Sequence, residues 1–226
     1  MDNAVEDASP SIAEERAARA SGEGAVASAS DVEPAAYVQV CNFLDAGLHA
    51  QILELALRNE PAFTASSVVT SDKDYRRSRV LFDLGECGAS MTAELRKILP
   101  WVYQRLGVVP SADGRLELQM TAHNDGDYFK LHNDNGSPDT ADRVVSYVYY
   151  CNRLPKGFWG GTLRLYDSRV ENGYWVGAQS FHTVEPTNNS IVFFLSRLLH
   201  EVLPIRCESR QFPDSRFTVN GWVRGI

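Results

Sequence analysis

The sequence is poor in cysteine, and its four cysteines, Cys41, Cys87, Cys151 and Cys207, form no CxxC pair in 226 residues. That spacing excludes a small disulfide-stapled framework. Long apolar runs are missing too: nothing approaches the ~18 consecutive residues of a membrane span, so no membrane partner is expected. The chain opens on acidic residues, without the basic stretch and apolar core of a secretory leader, and a reduced, cytoplasmic protein is expected. Basic charge is in deficit. A formal net charge of −7 argues against nucleic-acid binding through a general basic field. Residues 1–34 hold almost no large apolar side chain, being mostly Ala, Ser, Glu and Gly. Such a segment cannot bury enough surface to offset the entropy of ordering, so a disordered tail is expected before a single domain over residues 35–226.

What is present begins with helical periodicity. Asp45 is placed to cap a helix running to about Asn59, with Leu48, Ile52, Leu55 and Leu57 on its apolar face and Pro61 stopping it. Ser90 is placed to cap a second helix to Leu106, with Met91, Leu95, Ile98, Val102 and Leu106 on one side, a kink at Pro100 and Gly107 at its end. Between the two, FTASSVVTSDKDYRRSRVLFDL reads as strand, loop, strand, the loop being SDKDYRR. From residue 115 the pattern turns to β. LELQMTAH, RVVSYVYYCN, GTLRLYD, GAQSFHTV, NSIVFFLS, EVLPIRC and RFTVNGWVR are short runs rich in β-branched and aromatic residues, separated by turn residues. This order gives an α+β, mainly β class: a double-stranded β-helix (jelly roll) with the N-terminal helices packed on one sheet.

One stretch breaks the pattern. HNDGDYFKLHND, His123 to Asp134, concentrates polar and titratable side chains around Tyr128, Phe129 and Leu131. In extended backbone, residues i and i+2 face the same side, so His132 and Asp134 converge while Asn133 faces away. With a distant histidine they make a 2-His-1-carboxylate triad, the set that holds non-haem Fe(II) with positions left open. An HxD pair alone is equally a loop histidine bonded to a neighbouring aspartate. His200 is the preferred third member, because the core-like run SIVFFL before it can fix it rigidly; His182 is its rival, and His49 reads as a surface residue. Arg216, Thr218, Asn220 and Trp222 alternate onto one strand face. An inward arginine needs either a core carboxylate or an acidic ligand held by two hydrogen bonds.

In this order the stretches resemble the Fe(II)- and 2-oxoglutarate-dependent oxygenases, and within them the prolyl 4-hydroxylase-like group. The carriers are the GxxFxxHxD pattern inside HNDGDYFKLHND, RVVSYVYYCN followed by GGTLRLYD, NNSIVFFLSRLLHEVLP, and SRFTVNGWV. The likeness spans residues 36–224. It implies that His132, Asp134 and His200 bind Fe(II). Arg216 would bind the distal carboxylate of 2-oxoglutarate, and Tyr150 would give its hydroxyl to the same group. His123 stands where the group usually has tyrosine; as a departure from the pattern, it would donate to the cosubstrate instead. The interval from His200 to Arg216 is long for the group, so CESRQFPDS is expected to bulge.

The implied activity consumes O2 and 2-oxoglutarate and hydroxylates an unactivated C–H, in a prolyl or similar residue of a peptide or protein. The same chemistry on a free amino acid or a natural-product intermediate is the alternative. A non-catalytic metal-binding jelly roll is the second alternative, against which a cosubstrate clamp argues. The carboxylate at 134 argues against halogenation. The charged segment with Asp72, Lys73, Asp74, Arg76, Arg77 and Arg79 is the candidate lid, its three arginines meeting an acidic substrate. Asn135 to Arg143 is a second mouth loop, and Trp159 is expected to pack.

Overall fold

A computed structural model of the chain describes residues 32–66, 74–109, 114–172 and 174–225. The tail up to residue 31 lies outside them, as do Asp72 and Lys73 of the expected lid. Fourteen strands follow in chain order: β1 (Tyr37–Cys41), β2 (Thr64–Ala65), β3 (Arg76–Arg77), β4 (Arg79–Leu81), β5 (Arg115–His123), β6 (Tyr128–His132), β7 (Arg143–Cys151), β8 (Trp159–Gly160), β9 (Leu163–Glu171), β10 (Tyr174–Val184), β11 (Ser190–Leu195), β12 (His200–Val202), β13 (Ile205–Arg206) and β14 (Arg216–Arg224). Among the described residues, two α-helices, α1 (Ala46–Arg58) and α2 (Gly85–Leu106), precede most of these strands. The major sheet has seven strands in the order β1-β11-β7-β14-β5-β4-β2, and the minor sheet five, β10-β9-β12-β6-β3; β13 and β8 form a third, two-stranded pair. Every pairing is antiparallel. The expected architecture, mainly β with helices against one sheet, is what forms.

The period-2 alternation of strand side chains splits the major sheet into two working faces. Tyr147, Tyr149, Ile191, Phe193, Phe217 and Val219 pack with Leu48, Ile52, Met91, Leu95 and Val102 of the helices. Their neighbours Tyr150, Val192 and Phe194 turn the other way, toward Leu163, Leu165 and Val184 of the minor sheet. Gly221 keeps the helix-side face open: a Cβ there would lie 2.2 Å from the Tyr147 hydroxyl, which donates to the Glu117 carbonyl at 2.8 Å.

Several local expectations are corrected. α1 is capped as read, Asp45 Oδ1 accepting from Gly47 N and Leu48 N at 2.8 and 3.0 Å. α2, however, starts at Gly85, not after Ser90. Its first turn, GECGAS, carries no apolar periodicity, because Gly88 is used for close packing; a Cβ there would sit 3.1 Å from Leu84 Cβ. The helix runs through Pro100 without a break. His49 is not a free surface residue, since its Nδ1 lies 2.7 Å from the Tyr149 hydroxyl. Trp159 stays exposed while its neighbour Phe158 is buried. The segment EVLPIRC divides into β12 and β13 around Pro204. Glu33 bridges Ser168 through paired backbone bonds of 2.7 and 2.9 Å. Among the described residues no helix is long and apolar enough to cross a membrane.

Candidate active site

His132 ends β6 and His200 opens β12, and the two residues are direct partners across the minor sheet. The pairing then slips: His200 and Val202, two residues apart on β12, face His132 and Phe129, three apart on β6. This bulge re-aims the side chains of β6. Phe129 and His132, which a regular strand would send to opposite faces, stack with ring centroids 3.5 Å apart and planes 19° from parallel. Asp134 lies in the turn beyond β6, held by a bond from its own N–H to the Ser196 carbonyl at 2.9 Å. One ligand-type atom from each of His132, Asp134 and His200 lies within 4.8 Å of the others. His182 stands in the same cross-strand row, two strands further on at the open edge, where it meets Asp167 at 3.4 Å.

The surroundings fix how each group presents itself. His132 Nδ1 is 2.8 Å from the Lys130 carbonyl, and His200 Nδ1 is 2.9 Å from the Leu198 carbonyl. A carbonyl only accepts, so both Nδ1 atoms carry a proton there, and the Nε2 atoms are the ones turned to the shared centre. Both Nε2 atoms face Asp134, with Nε2 of His132 3.7 Å from Oδ1 and Nε2 of His200 3.5 Å from Oδ2. Burial first, then the neighbouring His200, lowers the His132 imidazole to about 3, so it is neutral at physiological pH. For Asp134, burial pushes the carboxyl up, yet the two imidazoles and hydrogen bonds from Ser146 and Trp222 outweigh it and leave the carboxyl below its ordinary range. Ser146 Oγ donates to Oδ2 at 2.6 Å and is itself 2.9 Å from Ser196 Oγ. Trp222 is the direct cross-strand partner of Ser146, and the Arg143 guanidinium lies 3.6 Å above its ring. Two imidazole nitrogens and one carboxylate oxygen on a shared centre suit a divalent non-haem metal, and their outer partners orient them.

Beside this triad the interior face of the major sheet carries an unusual set of side chains. Arg216 on β14 pairs directly with His123 on β5, and Thr218 with Tyr150 on β7. Arg216 is 2% exposed, and its guanidinium lies 5.0 Å from the centre of the Tyr150 ring. Among the described residues, Arg216 Nε and Nη2, Tyr150 Oη, Thr218 Oγ1 and both ring nitrogens of His123 are buried without a hydrogen-bond partner. Orphaned buried donors are rare in folded proteins and point to a missing acceptor. A carboxylate accepts up to about four hydrogen bonds and supplies the negative charge that would pair with the Arg216 cation. Gly161 closes the cradle: its φ is +68°, and a Cβ would come 2.6 Å from Arg216 Cδ. The donor set therefore fits one end of a dicarboxylate such as 2-oxoglutarate.

The residues singled out from sequence thus divide. His132, Asp134 and His200 come together; Arg216, Tyr150 and His123 form the adjoining cradle; Arg76 reaches the same interior from β3, with its guanidinium 4.8 Å from the Phe129 ring centre. Arg77 and Arg79 go elsewhere, to Asp127 at 3.8 Å and Glu60 at 3.5 Å. Arg76 and Arg77 belong to a strand paired with β6, not to the loop read from SDKDYRR. Asn124, Asp125 and Asp127 are turn-builders. Asn124 Nδ2 donates to Ser215 Oγ at 2.8 Å, and Asp125 Oδ1 accepts from Cys207 N at 3.1 Å, so the long segment before Arg216 is tied down. Ser146, Ser196 and Gly161 were not foreseen. Serine within a strand and glycine in a turn carry no signal of their own; only the pairing partners reveal them.

With the geometry in view, comparisons with known proteins are informative. Residues 118–224 match the family model described as the 2OG-Fe(II) oxygenase superfamily. A Synechocystis protein described as an uncharacterized PKHD-type hydroxylase is 42% identical over 193 residues, 84% of this chain. The chain spans 64% of that relative's length. A prolyl-4-hydroxylase of Pseudomonas putida shares the fold, with a TM-score of 0.61 at 23% identity over 85% of this chain and 94% of its own. So does a Trichoplax adhaerens prolyl hydroxylase solved with a hypoxia inducible factor peptide fragment, with a TM-score of 0.64 at 19% identity over 84% and 83% of the two chains. The 118–224 segment, which carries the triad and the cradle, is thus similar to the 2OG-Fe(II) oxygenase superfamily, whose metal, cosubstrate and oxidant are Fe(II), 2-oxoglutarate and O2.

Proposed function

We propose that the protein is a 2-oxoglutarate-dependent dioxygenase that hydroxylates an unactivated C–H, in a prolyl or similar residue of a peptide or protein. The observation that carries the reading is the pairing of a His/Asp/His triad with a cradle of orphaned donors on the next sheet. His132, Asp134 and His200 hold the ferrous ion, their Nδ1–H bonds and the Ser146 contact keeping the ligand atoms aimed. Arg216 and the Tyr150 hydroxyl hold the distal carboxylate of 2-oxoglutarate, with Thr218 and a neutral His123 completing its hydrogen bonds. Bound together, metal and cosubstrate supply the oxidising power: O2 and 2-oxoglutarate become succinate and CO2, with one oxygen atom delivered to the substrate. The chain's own part is orientation, charge neutralisation and exclusion of water. A metal-binding protein without turnover would have no use for the cradle.

A hydroxylation is suggested by the hydroxylase relative, and a prolyl side chain as its target by the prolyl hydroxylases that share the fold. No nucleic-acid partner belongs to the reading. Its setting is reducing and cytoplasmic, in keeping with four free thiols. The alternative, the same chemistry on a free amino acid or natural-product intermediate, is favoured by Arg76, an arginine set inside the mouth. The test is aerobic turnover of 2-oxoglutarate with a panel of proline-containing peptides and free amino acids. Succinate formation coupled to a product heavier by one oxygen atom is expected. Absence of succinate from iron-loaded protein, with or without any panel member, would end the reading.

A further inference from the structure

β3 and β4 are separated by Ser78 alone, yet β3 pairs with β6 of the minor sheet and β4 with β5 of the major sheet. The chain passes from one sheet to the other at this residue, and the crossing sorts three neighbouring arginines. Arg79 faces the helix side, with Glu60 at 3.5 Å and its guanidinium 4.8 Å from the Phe212 ring. Arg77 is exposed and pairs with Asp127 at 3.8 Å. Arg76 enters the interior between the sheets. Its guanidinium covers Phe129, which lies flat on His132, so arginine, phenyl and metal-ligand imidazole form one stack.

What Arg76 touches is neutral. Its Nε donates to Ser78 Oγ at 2.9 Å and its Nη2 lies 3.4 Å from Thr121 Oγ1. Among the described residues it has no carboxylate partner, whereas Arg77 and Arg79 each have one. Burial lowers its pKa to about 10, with Asp134 opposing, and it remains a cation. A guanidinium withdrawn from water without a carboxylate in direct contact is costly, and the cost is recovered when an acidic ligand meets it. Arg216, 2% exposed, is taken up by the cosubstrate in this reading and leaves a second carboxylate to Arg76. Arg76 is only half-buried, so an incoming molecule can reach it.

Resting on the oxygenase reading above, we propose that Arg76 is a specificity residue that selects substrates carrying a carboxylate close to the oxidised carbon. A fork of guanidinium N–H groups matches a carboxylate and pins its carrier over the Phe129–His132 stack. That carboxylate belongs either to a free acid or to an acidic residue or C-terminus of a peptide. The two sources share one chemistry at Arg76 and differ in what lies outside it.

The experiment uses the iron-loaded, 2-oxoglutarate-bound protein and matched pairs: L-proline against L-prolinamide, and a proline-glutamate peptide against its glutamine counterpart with an amidated C-terminus. Anaerobic calorimetry reads binding, and aerobic succinate formation reads turnover. Wild type should prefer the carboxylate member of at least one pair by about tenfold or more, the worth of a charge-assisted hydrogen bond. Arg76→Gln should reduce that preference to near parity, and Arg76→Glu should invert it. Arg77→Gln, outside the stack, should keep it. Preference in the amino-acid pair assigns a free acid; preference in the peptide pair assigns an acidic peptide. No preference by wild type in either pair overturns the proposal, as does a preference that survives Arg76→Gln or disappears equally in Arg77→Gln. A purely structural arginine would alter binding of both pair members alike. Wild-type protein that makes no succinate at all would instead refute the oxygenase reading, and the anaerobic binding preference would still judge Arg76.

Discussion

On one side of β14, Phe217, Val219 and Val223 pack into the helices; on the other, Arg216 and Thr218 are as deeply buried, yet Arg216 Nε and Nη2 and Thr218 Oγ1 have no hydrogen-bond partner among the described residues. The two faces alternate along one strand and share its backbone bonds, so the difference is in the side chains alone. The helix side follows the usual rule that burial of apolar surface stabilises. The inner side breaks it, leaving buried donors unsatisfied at a cost to the metal-free fold. A strand that is regular on one face and uncompensated on the other marks a ligand site more sharply than either face would alone.

The strongest way to break this contrast is at the triad. His132→Ala, Asp134→Ala or His200→Ala should reduce 2-oxoglutarate turnover to background and abolish binding of one ferrous ion per chain, read by metal analysis. The helix-side core is untouched, so circular dichroism should still report a folded protein. His182→Ala should keep turnover, because its imidazole sits with Asp167 at the sheet edge. Iron binding lost in His182→Ala but kept in His200→Ala would reverse the assignment. On the opposite face, Phe193→Ala removes a side chain that is 0% exposed. It should cost about 3–5 kcal/mol of stability, a large share of the ~5–15 kcal/mol of a typical domain. What remains folded should bind 2-oxoglutarate as wild type does. A selective loss of cosubstrate affinity there would mean the faces are not independent.

The contrast also explains what could be read from sequence. Alternation in RFTVNGWVR already put Arg216, Thr218, Asn220 and Trp222 on one face, because a period of two survives in any regular strand. His132 and Asp134 were legible through their spacing, and His200 through the core run that precedes it. The stack of Arg76, Phe129 and His132 was not. β3 is two residues long and shows no period, and the bulge in β6 cancels the parity that would have separated Phe129 from His132. The start of α2 was hidden because Gly88 trades an apolar side chain for close approach. Ser146 was hidden because its role exists only once β7 and β14 bring it to Asp134.

A smaller effect sharpens the contrast at Arg216 itself. Arg216→Lys keeps the charge but loses the planar fork, and Arg216→Met loses both. The affinity for 2-oxoglutarate should fall in both, more in the second, by about 1.5–3 kcal/mol for each charge-assisted hydrogen bond lost. Iron binding should persist. The metal-free Arg216→Met protein should be no less stable than wild type, because an unpaired buried cation is replaced by an apolar chain of similar length. A lower thermal midpoint with unchanged cosubstrate affinity would make Arg216 a structural residue.

The smallest effect is in acid, where the two faces each offer a histidine. His123, on the inner face, is held well below the ordinary imidazole range by burial first and then by Arg216 and Arg76. His49, on the helix side, is lowered by burial alone and keeps the Tyr149 contact. A depressed histidine binds fewer protons folded than unfolded. Its contribution to stability is therefore complete above the unfolded value of about 6.5 and is lost progressively as pH falls below it, toward the folded value. For one group the slope is at most about 1.4 kcal/mol per pH unit. Chemical denaturation of the metal-free protein between pH 7 and pH 5 should show this loss, and His123→Gln should flatten it. His49→Gln should flatten it less, because only burial holds that imidazole down and it is half-exposed. Equal flattening by both would mean that the cations of the inner face do not act on His123, and the electrostatic difference between the two faces would vanish.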